Sequence, residues 1–210
     1  KEGENIGLYD NPRKIGFKQN WENLIYEKGF ILDAKGNLSP DKDLTETQDR
    51  LIERYRTAID RNSLSQPMQI LATHDYLNGS WSVLDYGCGK GDDLRELEAH
   101  GIDVSGWDPA YYSEGLLINS DIVNLGFVLN VIEDVEERNS CLLDAWSYTE
   151  KLLIVSVMVA GDSTTSKFRP YKDGIITSRR TFQKYYSQSE FSYFLERTLN
   201  VNAIAVGQGI

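Results

Sequence analysis

The sequence predicts an α/β protein built on a mostly parallel sheet with helices on both faces. Three observations predict it. Short apolar, β-branched segments alternate with helical segments from residue 81 to the end, the pattern of a sheet whose strands are joined by crossover helices. Gly87, Gly89 and Gly91 form a turn between the first of these strands and the helix after it, where open α/β sheets carry a ligand crevice. Lys151 to Val159 is the most apolar run in the chain and reads as a central strand buried on both faces.

The elements follow in order. Residues 1 to 43 are rich in Gly, Asn, Lys and Asp, with apolar clusters only at Trp21 to Tyr26 and Phe30 to Leu32. They read as an extension holding one helical turn and one short strand, with Lys35-Gly36-Asn37 as a turn. The remainder, 44 to 210, reads as a single domain with two leading helices. Gln48, Leu51, Ile52, Tyr55, Ala58 and Ile59 share one face at a period near 3.6, so a helix is expected from Leu44 to about Arg61, capped by Thr45 with Gln48. Arg50, Arg54 and Arg61 read as helical-face partners of Asp49, Glu53 and Asp60. Ser65 and Pro67 open a second helix, which Asn78-Gly79 closes. Trp81 to Tyr86, Asp103 to Trp107 and Asp121 to Leu125 read as strands. Asp92 to His100 reads as a helix, Asp134 with Glu137 caps another, Gln188 to Leu199 is a third, and Val201 to Val206 reads as a last strand.

Composition narrows the function. The chain has 210 residues, 32 acidic and 22 basic side chains, and a net charge of −10. Such a surface repels a polyanion except at a local basic patch. No run of apolar residues is long enough to span a bilayer. Two cysteines far apart, Cys88 and Cys141, exclude a disulfide framework and a cysteine-rich zinc site, which fits a reduced, cytoplasmic protein with no metal. The chain starts at Lys1 and stops directly after an apolar stretch, so a fragment of a longer protein is expected.

Charge decides what the glycine turn holds. A dinucleotide fingerprint needs a glycine at position 92, and a pyrophosphate needs the positive end of the following helix. Asp92 and Asp93 occupy that end. Two carboxylates there disfavour phosphate and suit a cationic ligand without phosphate. S-adenosylmethionine, with a sulfonium, an ammonium and a ribose bearing two free hydroxyls, meets that description. Asp85 is placed for the ammonium, and Asp108, at the end of the second strand, for the ribose hydroxyls. A nicotinamide-dependent oxidoreductase is the weaker alternative.

At these residues the chain resembles the class I S-adenosylmethionine-dependent methyltransferases. Val83 to Gly91 is similar to their first motif, Val104 to Asp108 to their second, and Asp121 to Ile132 to the segment that closes over the cofactor. The resemblance runs from about residue 80 to 206 and implies a Rossmann-like sheet. It implies cofactor contacts from Asp85, Tyr86, Gly87, Cys88, Gly89, Gly91, Asp92, Asp108, Pro109, Asn124, Leu125 and Gly126. Only twelve residues separate Asp108 from Asp121, too few for the usual helix, strand and helix. The sheet is therefore expected to be shortened at its third strand, with adenine recognised by backbone near Asp108, Pro109 and Ser120. Tyr55 to Arg61, Leu84 to Asp93, Asn124 to Asp134 and Asp173 to Tyr186 further resemble the methyltransferases associated with bacterial DNA phosphorothioation, which implies a DNA-modification or defence setting.

The acceptor is expected beyond the fourth strand. Asn124-Leu125-Gly126-Phe127 partly matches the Asn-Pro-Pro-Tyr/Phe tetrapeptide of amino-group methyltransferases acting on DNA, with both prolines missing, which makes Asn124 the one catalytic candidate. The segment 167 to 186 carries six basic side chains against the single acid Asp173, interleaved with aromatics, a mixture suited to phosphate contact and base stacking. Arg179, Arg180, Lys184 and Tyr186 are the expected substrate contacts, and nucleic acid the expected partner. The rival reading is a cofactor-binding module without catalysis that supports a DNA-modification complex.

Overall fold

The computed structural model describes residues 4, 8–9, 21, 24–25, 30–33, 36–40, 52–159 and 168–210. Near the start, strands β1 (Phe30–Leu32) and β2 (Leu38–Pro40) pair antiparallel. Leu8, Leu24 and Ile25 are buried with Trp21, Phe30 and Leu38 against them, in a cluster of their own.

The principal sheet has four parallel strands, β3 (Val83–Tyr86), β4 (Val104–Trp107), β5 (Ser120–Gly126) and β6 (Thr149–Ser156), in the order β4-β3-β5-β6. Its two faces are readable from alternation along each strand. Val83, Ile122 and Ile154 enter one core with Met68, Leu71 and Leu97. Their neighbours Leu84, Val123 and Val155 enter the other with Leu142, Ala145 and Phe191. Side chains in a strand point alternately to opposite faces, so these triplets place helices α1 (Gln66–Thr73) and α2 (Asp92–Ala99) on one side. Helices α3 (Val135–Ser147) and α4 (Gln188–Leu199) lie on the other. Asp134 caps α3 by accepting from Glu137 N at 2.9 Å, and Ser187 caps α4 by accepting from Glu190 N at 3.1 Å. The α/β class, the parallel sheet and its shortening after β4 are as expected: residues 108 to 119 cross as a loop held by an Asp108–Tyr112 bridge.

Five expectations are corrected. Residues 44 to 51 of the first expected helix lie outside the described residues. Residues 52 to 61 are not an α-helix but an extended strap with one 3-10 turn, Arg54–Thr57. Its polar groups bond to the domain beneath: Glu53 N donates to Arg180 O, and Arg61 N to Asp92. Arg54 reaches Glu133 and Glu137, Arg61 reaches Asp93, and Asp60 binds Lys90, in place of the expected helical-face pairs. The apolar run at 151 to 159 is an edge strand in the sheet order, covered at its far end by Gly209 O, which accepts from Val157 N.

Val201 to Val206 is not a strand either. Asn200 turns left-handed at the end of α4, Ile204 is 83% exposed, and the chain doubles back so that Ile210 enters the core. Finally, the basic segment is a folded antiparallel sheet, β7 (Arg169–Tyr171), β8 (Gly174–Ile176) and β9 (Phe182–Gln183). Phe182 and Tyr186 are buried, and Asp173 binds both the buried Arg138 of α3 and the buried Lys184.

A charged group left inside without its partner is destabilising. Arg138→Ala is therefore expected to lower the unfolding free energy by about 2 kcal/mol in urea denaturation, with Arg138→Lys recovering only part, because Asp173 takes two guanidinium nitrogens. A change below about half a kcal/mol would contradict a structural role for the segment.

Candidate functional site

A cavity of about 620 Å³ opens over the carboxyl ends of the strands. Parallel pairing brings Asp85 of β3 level with Asn124 of β5 and Gly106 of β4. Asn124 Nδ2 donates to Asp85 Oδ1 at 2.8 Å, while Asn124 Oδ1 is buried with no partner among the described residues. Asp85 is 3% exposed. Burial, reinforced by the negative charge of Asp93, pushes its carboxyl up to about 7 against the opposing pull of the Asn124 hydrogen bond and the Arg61 charge.

The glycine turn follows at once. Gly87 N and Cys88 N both donate to Trp107 O, at 2.7 and 3.1 Å, which ties the turn to β4. Gly87 has φ +88°, and a Cβ there would meet Val128 Cγ2 at 2.3 Å. Gly91, at φ +72°, caps α2 in the left-handed conformation, with the Tyr112 hydroxyl 2.5 Å from where a Cβ would lie. Neither position admits another residue without displacement. Asp108 braces the turn from the second strand, its Oδ2 accepting from Gly89 N at 3.1 Å and its Oδ1 from Ala110 N and Tyr111 N at 2.8 and 3.0 Å.

The strap roofs this half of the cleft. Tyr55, Ala58, Ile59 and Arg61 line it, and Tyr111 Oη donates to Tyr55 O at 2.9 Å. Asp92 and Asp93 serve as its anchors. Asp92 accepts from Arg61 N at 2.7 Å and pairs with Arg95; Asp93, 1% exposed, accepts from Ser65 N at 2.7 Å and from Arg61 Nη2 at 2.8 Å. The pair was expected to face a ligand directly; both line the cleft, and their carboxylates also bind the strap to the start of α2.

Other expected contacts divide. Gly87, Cys88, Gly89, Asp108, Pro109, Asn124 and Gly126 line the cleft. Tyr86 reaches it too, although its ring packs in the core at 5.2 Å from Trp107. Leu125 is fully buried in the core and does not line the cleft, since its side chain alternates away from that of Asn124. Ser120 begins β5, at the opposite end of the strand from the cleft, which removes it from adenine recognition. Lys184 and Tyr186 are corrected as substrate contacts. The Lys184 ammonium pairs with Asp173 and Glu190, and Tyr186 packs on Phe191. Arg179 and Arg180 lie on an exposed turn and do not line the cleft.

Burial also pushes the Cys88 and Cys141 thiols up to about 12. Both stay protonated near neutrality, so neither is a thiolate nucleophile. Among the described residues no group of three or more His, Cys, Asp or Glu side chains gathers to hold a metal ion, and no helix is long and apolar enough to cross a membrane.

Residues 46–173 match the family model described as a methyltransferase domain. The chain belongs to this methyltransferase family. A search of curated proteins finds no match. Among solved structures, the chain is similar to the 1,6-didemethyltoxoflavin-N1-methyltransferase of Burkholderia thailandensis. The identity is 14%, over 80% of this chain and 83% of that one, with a TM-score of 0.49. It is also similar to the magnesium protoporphyrin IX methyltransferase of Synechocystis, at 17% identity over 75% of this chain and 89% of that one, with a TM-score of 0.44.

S-adenosylmethionine is the cofactor of this methyltransferase, and the residues in the cleft fit it. A buried carboxyl with its pKa raised toward neutrality gains from an ammonium placed against it. The unpartnered Asn124 Oδ1 accepts a further donor, and the glycine turn offers backbone that no Cβ obstructs. Sequence reasoning missed the strap and Asn130. Arg54 and Arg61 stood beside local acids that masked their distant partners.

Ligand-free, the raised Asp85 carboxyl makes stability fall as pH rises from about 4, where the unfolded group ionises, to about 7, where the folded one does. Asp85→Asn keeps the Asn124 hydrogen bond and removes the charge. Its thermal midpoint is expected several degrees above that of the unaltered protein at pH 8 and level with it at pH 4. A midpoint lower at both pH values would contradict the account.

Proposed function

We propose that the chain is a methyltransferase that holds S-adenosylmethionine in the β3–β4 half of the cleft and the acceptor in the β5–β6 half. The observation that carries this is the buried, cation-seeking Asp85 beside the glycine turn. Asp85 and Asn124 take the ammonium end, the turn takes the middle of the ligand, and Asp108 with Pro109 takes the ribose side. When bound, the cofactor supplies an electrophilic methyl group. Transfer from a sulfonium depends on alignment more than on proton movement, which accords with the protonated Cys88 and Cys141 thiols of the cleft. The strap excludes water from one side, and Phe127 to Ile132 flank the other.

A nucleic-acid acceptor in a bacterial DNA-modification setting is the second reading. It rests on Arg179 and Arg180, both on the exposed turn, and on the sequence resemblance. The burial of Lys184 and Tyr186 weakens it. A cofactor-binding module without transfer is favoured by the shortened sheet and by the two prolines missing from Asn124 to Phe127, and it predicts ligand binding with no labelled product on any acceptor.

Calorimetry should detect S-adenosylhomocysteine binding, and Asp85→Asn should weaken it by about tenfold or more, the loss expected when a charged partner is removed. Absence of heat with folded protein would remove the proposal. Retention of DNA at low salt is expected to fall on reversal of Arg179 and Arg180 to glutamate if the second reading holds.

A further inference from the structure

Among the described residues, six carboxylates line the cleft, and the three cations that line it, Arg54, Arg61 and Lys90, are each engaged by a carboxylate. In the β5–β6 half, two of the described donors are committed elsewhere. Arg54 directs its guanidinium to Glu133 and Glu137 through four contacts of 2.5 to 2.8 Å, and Gln183 Nε2 donates to Lys184 O at 3.1 Å. Facing this half is Asn130, 1% exposed, whose Oδ1 is buried with no partner among the described residues. Its backbone is fixed by Lys184 N, which donates to Asn130 O at 2.7 Å. A buried carbonyl without a donor is unfavourable, and a group retained in that state calls for a partner such as a ligand. Phe127, between the two halves, is held at φ +58° with its N donating to Ser156 O at 2.8 Å. A bulky residue is uncommon in that conformation, and such strain clusters at ligand sites.

We infer that this half of the cleft binds a small, phosphate-free acceptor whose N–H group donates to Asn130 Oδ1 and whose apolar frame packs on Phe127, Val131 and Met158. The inference rests on the proposed methyltransferase reading and specifies the acceptor. Among the described lining residues an anionic acceptor meets carboxylates and only cations already engaged by a carboxylate, and is repelled. An amine meets an orphaned acceptor oxygen in a field of negative sign.

The test is calorimetry on full-length protein saturated with S-adenosylhomocysteine, titrated with phenethylamine, with hydrocinnamate as its carboxylate counterpart, and with a short single-stranded oligonucleotide. Phenethylamine is expected to bind at least about tenfold more tightly than hydrocinnamate, and Asn130→Leu to weaken it about tenfold. The same variant should leave S-adenosylhomocysteine affinity and the thermal midpoint undiminished, because the removed oxygen has no protein partner. A structural asparagine would instead lower the midpoint. Asn130→Ala serves if leucine crowds the pocket. Equal or tighter binding of hydrocinnamate or the oligonucleotide, no binding of phenethylamine, or an unchanged amine affinity in both variants would overturn the inference. Failure of S-adenosylhomocysteine itself to bind would instead overturn the reading beneath it.

Discussion

The hydrogen bond from Asn124 to Asp85 joins two parallel strands at the point where the cleft begins, and most of the site is organised around the carboxylate it holds. Asp85 is buried because β3 is interior to the sheet, with β4 on one side and β5 on the other. A lone carboxylate in such a position is disfavoured unless a cation or several donors meet it. The protein supplies one direct donor, Asn124, and a more distant cation, Arg61. That incomplete satisfaction is the physical content of the claim that a cationic ligand belongs there. Part of the acidity lies at the cleft, where Arg54 and Arg61 of the strap pair with Glu137 and Asp93.

The strap closes one side of the cleft. Many polar groups of residues 52 to 61 bond outward, to α2, to Glu133 before α3, to α3 and to the turn after β8. Arg61 alone meets Asp92 through its backbone and Asp93 through its side chain. The carboxylates at the start of α2 are thereby the anchors of the roof.

How much of this was legible in the sequence follows from the range of the interactions. The parallel sheet, the glycine turn, Asp85 and the caps of α3 and α4 are local patterns: alternation, spacing and a polar residue three positions before an acid. Asp108 was identified, but its bonds to Gly89, Ala110 and Tyr111 depend on how two turns meet in space. Arg54 illustrates the limit most clearly. Glu53 and Glu137 are equally acidic in a sequence, and only the fold decides that the guanidinium reaches the distant one. The basic aromatic segment failed for the same reason. Lys184 and Tyr186 look like polyanion contacts until Asp173, Glu190, Arg138 and Phe191 are brought around them. Asn130 had no signal at all, since an orphaned carbonyl is a property of packing alone.

The central claim, that Asp85 is held partly uncharged for a ligand ammonium, is tested most directly by proton counting. Calorimetric titration of S-adenosylhomocysteine at pH 6 in two buffers of different ionisation enthalpy measures the protons exchanged on binding. At that pH the raised carboxyl is mostly protonated in the free protein and must ionise to meet the ammonium. The account predicts release of close to one proton per ligand at pH 6, fading at pH 8 and absent in Asp85→Asn. Binding with no proton release at pH 6, or with release that survives Asp85→Asn, would contradict it.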